Sequence, residues 1–369
     1  MWRWTLKSLI SEPAALVVSV AAAGCAFLLV MFFEAVYEGE SDQVVAYVAN
    51  ADADVWVMQR GVANMHMATS YLTDWKLEQI ERLPGVDAVE GILYLNTVIT
   101  GADQQWFAYI VGLERASRQG GPWAMATGRA QPESGEAVVP AVFGQMSDLN
   151  LGDTIRITDR DFTVVGFSEG TFSIANSIVF VTKRDLEDIM KALDIVSYGL
   201  VKLEPGANPV RAAAQIEQAV DKVQALPADQ FVRNDRKMAM QMGVETLALM
   251  TLIGGALAAL LIAFAIYSQV ARQRRELAVA KALGATHRAL YVSVALQAVL
   301  ITVASVTVAT GLALIVMPVA TAVIPSVTLK LTAAAVLRVA IVGLVVALLA
   351  ALVPARQVAR VDPLSAFQA

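Results

Sequence analysis

Charge is scarce in this chain, histidine is rare, and cysteine is almost absent. Of 369 residues, 17% are charged and 57% hydrophobic, against roughly 25% charged in ordinary soluble domains. That imbalance excludes a wholly soluble protein. The single cysteine, Cys25, permits no disulfide within the chain, so a domain in an oxidising compartment must be held by its apolar core alone. The two histidines, His66 and His287, fall on opposite sides of the membrane in the topology derived below and cannot share a metal. No Ser/His/Asp or Cys/His constellation points to nucleophilic catalysis. No Gly-x-x-x-x-Gly-Lys-Ser/Thr loop is present to cradle phosphates. The chain therefore reads as non-catalytic, with no cofactor of its own, and no nucleic-acid partner is expected.

The hydrophobic residues are gathered into four blocks, at 14–33, 244–271, 289–319 and 331–353. Each reaches the ~20 apolar residues that a helix needs to cross a bilayer. Ala22-Ala23-Gly24-Cys25 faintly resembles a lipoprotein cleavage box. However, no leucine stands three residues before the cysteine, and the apolar run continues through 27–33. A small-residue patch on a spanning helix explains the tetrapeptide better. Basic residues flank the blocks on one side: Arg3 and Lys7, then Arg272, Arg274, Arg275, Lys281 and Arg288, then Arg356 and Arg360. This bias puts both termini in the cytoplasm. The segment 35–243 holds 28 acidic and 17 basic residues, a net charge of −11, and belongs on the opposite, periplasmic side of a bacterial inner membrane.

The expected layout has nine parts. Residues 1–12, with Trp2, Trp4, Leu6 and Leu9, form an interfacial amphipathic helix. Residues 13–35 form the first span, and 36–232 a periplasmic α+β domain with a β-rich lobe at about 120–192. Residues 233–271 form a stalk continuous with the second span, and 272–288 a short cytoplasmic helix. Residues 289–317 form the third span, 318–330 a periplasmic loop, 331–353 the fourth span, and 354–369 a cytoplasmic tail. The fold class is thus a membrane protein of four transmembrane α-helices with an α+β domain inserted between helices 1 and 2.

Within the domain, strands are expected at 54–58, 86–100, 106–113, 137–140, 154–158, 162–167, 177–182 and 198–203. Turns are expected at Gly101-Ala102-Asp103 and Asp159-Arg160-Asp161. Helices are expected at 74–83, 183–193 and 208–226, the last capped by Asn208 with Pro209 in its first turn. Met65, Met67, Trp75 and Trp106 read as core residues, or as the lining of an apolar cleft.

The spans carry no mid-membrane carboxylate or histidine of the kind that ion-coupled carriers use, and they offer no polar lining for a hydrophilic pore. Arg338, in the fourth block, falls near the outer interface, where it could reach lipid headgroups. The most informative stretch is the elbow between the second and third spans. There, Arg274-Arg275-Glu276 is followed by Lys281-Ala282-Leu283-Gly284-Ala285. Helix formers run up to a glycine stop at Gly284.

This stretch resembles the coupling-helix signature of MacB/FtsX-like ABC transporter permeases. The ending, with Pro354, Arg356, Asp362 and Pro363, resembles that family's terminal motif. Leu277-Ala278 and Phe367 depart mildly from its pattern. Asp52-Ala53-Asp54-Val55-Trp56-Val57 and Leu151-Gly152-Asp153 look like the DevC-like permeases that pair with a separate ATPase and membrane-fusion adaptor. The resemblance implies an ABC ATPase partner that binds ATP and magnesium. It also implies pairing with a second copy or a paralogous permease, and possible use of an adaptor and an outer-membrane channel. Contact with membrane lipids follows from the spans. The implied function is export or extraction by force transmission, with ATPase coupling at Arg274, Arg275, Glu276, Lys281, Leu283, Gly284 and Ala285. A lipoprotein-releasing permease and an FtsX-like regulator of a cell-wall hydrolase are the alternatives.

Overall fold

The computed structural model describes residues 9, 13–66, 68–173, 177–239, 241, 245–272, 279, 281 and 284–360. In chain order the elements are α1 (Pro13–Gln43), α2 (Ala46–Asn50), β1 (Val55–Gln59), β2 (Leu72–Thr73), α3 (Asp74–Glu81), β3 (Val86–Gly101) and β4 (Gln104–Leu113). There follow β5 (Met125–Gly128), β6 (Glu136–Pro140), α4 (Ala141–Ser147), β7 (Thr154–Ile157), β8 (Arg160–Ser168), β9 (Ile178–Thr182) and α5 (Lys183–Met190). The chain continues with β10 (Ile195–Val196), β11 (Tyr198–Leu203), α6 (Pro209–Ala219), β12 (Val223–Pro227) and α7 (Ala228–Ala239). It ends with α8 (Glu245–Arg272), α9 (His287–Val323) and α10 (Ala333–Arg360). Two compact units result: a helical bundle of α1, α8, α9 and α10, and a domain of Glu40–Glu245 with Ile324–Thr328.

All four bundle helices are long and apolar enough to cross a membrane. Small side chains form much of the bundle interior: Ala23, Ala26, Ala258, Ala298, Ala309 and Ala347 are buried there, with Phe27, Met31 and Ile262 filling the wider gaps. Small residues let helix backbones approach closely in lipid. The outward faces are apolar too, with Leu252, Leu260 and Phe264 each about 70% exposed on α8, a pattern that suits hydrocarbon and not water.

Helix boundaries differ from expectation in two places. The first helix continues ten residues past Phe33, to Gln43. Pro318 lies inside α9, which runs on to Val323, so the loop expected to start at 318 begins later. Apolar surroundings favour continuation at Pro318, because leaving helix in lipid strands backbone groups without partners, and a proline forfeits only one bond. The extension of α1 is polar instead, with Glu34, Glu38, Glu40 and Asp42, and Arg338 pairs with its first two carboxylates. The expected interfacial helix at 1–12 lies outside the described residues, apart from Leu9. The continuity of the expected stalk rests on residues 240 and 242–244, which also lie outside them.

The domain is built on a ten-stranded sheet of order β12-β1-β11-β3-β4-β9-β6-β8-β5, with β7 bridging β3 and β8. The 16-residue β3 makes this continuity possible. Its first half pairs antiparallel with β11 (Val89↔Val201), its second half with β4 (Val98↔Phe107). The stretch 120–192 therefore adds β5 to β9 to the same sheet and does not form one of its own. Ala102 and Asp103 both take positive φ, 47° and 59°, as a two-residue hairpin turn twisted to match its strands requires.

Three local expectations need correction. The β7–β8 turn is Thr158-Asp159, with Thr158 at φ 57°, and Arg160 already belongs to the strand. Helix α5 stops at Met190, where Lys191 takes a left-handed conformation. Asn208 does cap α6, accepting from the N–H groups of Val210 and Arg211, but that helix ends at Ala219. Val223–Pro227 forms a strand that pairs with β1 through Trp56↔Leu226. Its five residues fit a helix equally well by apolar spacing, and only the waiting edge of β1 decides the outcome.

Helix α7, which precedes the second span in the chain, is pinned to the domain at two points. Phe231 stacks on the fully buried Trp56 at 4.8 Å. The Asp235 carboxylate accepts hydrogen bonds from the backbone N–H of Met65 (2.7 Å) and His66 (3.2 Å). It also faces His66 Nδ1 at 2.9 Å. Met65 is a core residue. Trp106 is partly buried against the core and stacked on Phe143, whereas Trp75 is half exposed. Met67 lies outside the described residues.

Candidate coupling site

The end of the bundle that carries the elbow is formed by the close of α8, the start of α9 and the close of α10. Of the expected coupling residues, Lys281, Gly284 and Ala285 are described, and Arg274, Arg275, Glu276 and Leu283 lie outside the described residues. In the terminal motif, Pro354 falls within α10 and Arg356 is exposed there, while Asp362 and Pro363 lie outside the described residues.

What is described forms a tight turn. The N–H of Gly284 donates to the Lys281 carbonyl at 3.0 Å, and Gly284 sits at φ +96°, a conformation that side chains other than glycine rarely adopt. Ala285 packs against the bundle core. Thr286 then starts α9, its hydroxyl accepting from the N–H of Ala289 at 3.3 Å, as an N-cap does. Ala285 belongs to the same core as Val270 of α8, Leu290 of α9 and Ala355 of α10. The two motifs, some 70 positions apart in sequence, thus both contribute to the one apolar core of the bundle.

A polar seam runs through the bundle, which the chain's composition had not suggested. Ser19 on α1 donates to Gln269 Oε1 on α8 at 3.3 Å, and both are buried. Ser293 and Gln297 are buried on α9, and the Ser305 hydroxyl donates to the Val20 carbonyl at 3.3 Å. These bonds join helices in apolar surroundings. Lone amides inside otherwise apolar blocks were the signal that could have revealed them. Arg338 also has partners within the bundle. Its guanidinium pairs with Glu34 (3.0 Å) and Glu38 (3.2 Å) on α1, because α1 continues as helix and presents both carboxylates one turn apart.

Among the described residues, no group of three or more His, Cys, Asp or Glu side chains could hold a metal ion.

Comparison with known proteins agrees with this architecture. Residues 14–219 match the MacB-like periplasmic core domain, and residues 248–363 match the FtsX-like permease C-terminal region. The chain is 22% identical over 356 residues to the ABC transporter permease Rv0072 of Mycobacterium tuberculosis strain H37Rv, covering 95% of both. It is 23% identical over 354 residues to the permease Rv2563 of the same organism, again covering 95% of both. Among solved structures, the periplasmic region of MacB from Actinobacillus actinomycetemcomitans covers 51% of this chain and 94% of its own, at a TM-score of 0.39 and 11% identity. With an inserted domain of the MacB type, four membrane-length helices and a C-terminal region of the FtsX type, the chain belongs to the MacB/FtsX-like ABC transporter permeases.

Proposed function

We propose that this permease relays ATP-driven motion from a separate ATPase subunit to its inserted domain, moving a substrate outward without passing it through the helices. The ATPase, loaded with ATP and magnesium, engages the elbow around Arg274, Arg275, Glu276, Lys281 and Gly284, together with the tail around Arg356 and Asp362. The domain faces the periplasm and both termini face the cytoplasm. Two permeases act together, as copies or as paralogues, and a membrane-fusion adaptor with an outer-membrane channel is the natural extension.

The observation that carries this reading is that the elbow joins the core of the bundle. Ala285 packs against the same core that holds Val270, Leu290 and Ala355, which supports a path for displacement from the elbow into the helices. The polar seam then ties α8 to α1. Helix α1 has 31 residues, about 46 Å at ~1.5 Å per residue, so it outruns a ~30 Å hydrocarbon core. Its last turn, from Glu40, counts among the residues of the domain. A rod of this kind suits force transmission better than it suits a channel wall.

Co-expression with the ATPase encoded beside it tests the reading. The two should co-purify, and Glu276→Lys should abolish ATP-dependent transport while leaving membrane insertion intact. Transport at the parental rate in Glu276→Lys would contradict the coupling role.

A further inference from the structure

Between α1, α8 and α10 a groove of about 510 Å³ runs along the helices, within the ~300–1,000 Å³ of ordinary ligand sites. Its walls are apolar: Phe27 and Val30 from α1, Leu252 and Ile262 from α8, Val342 and Val346 from α10. On α8 the lining includes Gly255, Ala256 and Ala259, and a Cβ added to Gly255 would meet nothing within 4 Å.

One end of the groove is polar. Glu34, Tyr37 and Arg338 line it, and Arg338 holds both Glu34 and Glu38. The Glu34 side chain is only 15% exposed, that of Arg338 51%. Arg338 stands five residues inside the span that begins at Ala333, about 8 Å along the helix, and its long side chain can extend from there toward the headgroups. The mouth thus presents a carboxylate and a guanidinium together, Glu34 and Arg338, with Glu38 one turn on and Lys330 beside it, its N–H donating to the Ala35 carbonyl at 3.0 Å. A ligand that fits brings a headgroup with a cation for the carboxylate and an anion for the guanidinium, and hydrocarbon for the trough. A second protein copy seated here would have to supply that cation from within an apolar helix surface.

We infer that this groove binds a membrane phospholipid with a zwitterionic, ammonium-bearing headgroup of the phosphatidylethanolamine type. One acyl chain lies in the trough, the ammonium meets Glu34 and Glu38, and the phosphate lies within reach of the half-exposed Arg338. The site is independent of the coupling role proposed above, since no elbow residue lines it.

The test is native mass spectrometry of the full-length chain, delipidated in detergent and titrated with phosphatidylethanolamine or phosphatidylglycerol. One phosphatidylethanolamine should remain bound per chain, at about tenfold higher affinity than phosphatidylglycerol. Gly255→Phe should fill the trough and remove the adduct without lowering the melting temperature. Glu34→Gln combined with Glu38→Gln should reverse the headgroup preference toward phosphatidylglycerol by leaving Arg338 in excess. Equal retention of both lipids by the parental chain would overturn the inference. So would parental occupancy in a folded Gly255→Phe, or lipid adducts that vanish whenever the chain dimerises. If Gly255→Phe does not fold, the headgroup reversal decides.

Discussion

Gly284 concentrates the constraints on the elbow into one residue. At φ +96° any side chain is strained, by about 1–3 kcal/mol, and a proline, fixed near φ −65°, cannot be accommodated. Gly284→Pro should therefore insert normally but lose ATP-dependent transport, measured in vesicles with the partner ATPase present. Lys183 offers a second residue-scale test. Its ammonium is nearly buried among Asp74 (2.6 Å), Glu114 (3.0 Å) and Glu187 (3.6 Å). Burial alone would lower its pKa, but the Asp74 and Glu114 carboxylates outweigh that and hold it above the ordinary value. A lysine raised in this way stabilises fully below its unfolded pKa and loses the contribution as pH rises through the folded one. Lys183→Met should thus cost the domain about 1–2 kcal/mol at neutral pH, since two of the partners are partly solvated. The difference from the parental chain should shrink above about pH 10.5, as followed by thermal melts across pH. Of the partners of Lys183, Glu187 stands four positions on in the same helix, a pair that spacing alone can give. Asp74, at the start of α3, and Glu114, just past β4, are brought to it only by the folded sheet. Gly284, by contrast, was legible, because a glycine closing a run of helix formers announces itself locally.

Helices and strands differed in how plainly they were written. The four spans were recognisable because hydrocarbon imposes a single requirement, twenty apolar residues, that no other element meets. Their ends were less plain: in lipid a proline loses force as a stop signal, which is why α9 passes Pro318, whereas α1 passes Phe33 as a polar helix beyond its apolar block. Strand β12 was hidden because Val223–Pro227 is specified by the free edge of β1 and not by its own pattern. The pin between α7 and β1 was hidden for the same reason. It joins Trp56, His66, Phe231 and Asp235, which lie up to about 180 positions apart in sequence. That pin can be tested directly. Phe231→Ala should cost about 3–5 kcal/mol. Asp235→Ala, which strands the buried N–H groups of Met65 and His66, should cost about 3 kcal/mol. Asp235→Asn keeps one acceptor for both and should cost less. Hydrogen exchange of the full-length chain should show protection lost first in α7 and β1 in each case. Equal protection in Asp235→Ala and the parental chain would show that the aromatic stack alone holds the helix.

At the scale of the whole molecule, the layout of one span, an inserted domain and three spans was legible from hydropathy and charge alone. So was the family, because its two signatures lie in contiguous stretches of sequence. The bundle's internal chemistry was not. The Ser19–Gln269 bond and the Arg338 cluster depend on which helices adjoin, which no single block discloses. Those contacts make the bundle a connected body, and the proposed function depends on that property. The most direct test is a distance measurement by paired spin labels at His287, beside the elbow, and Lys222, on an exposed turn of the domain, in a Cys25→Ser chain complexed with its ATPase. Force transmission predicts a shift in the distance distribution on addition of ATP, and no shift when Gly284→Pro is also present. An ATP response that survives Gly284→Pro unchanged, or no ATP response in the intact complex, would contradict it.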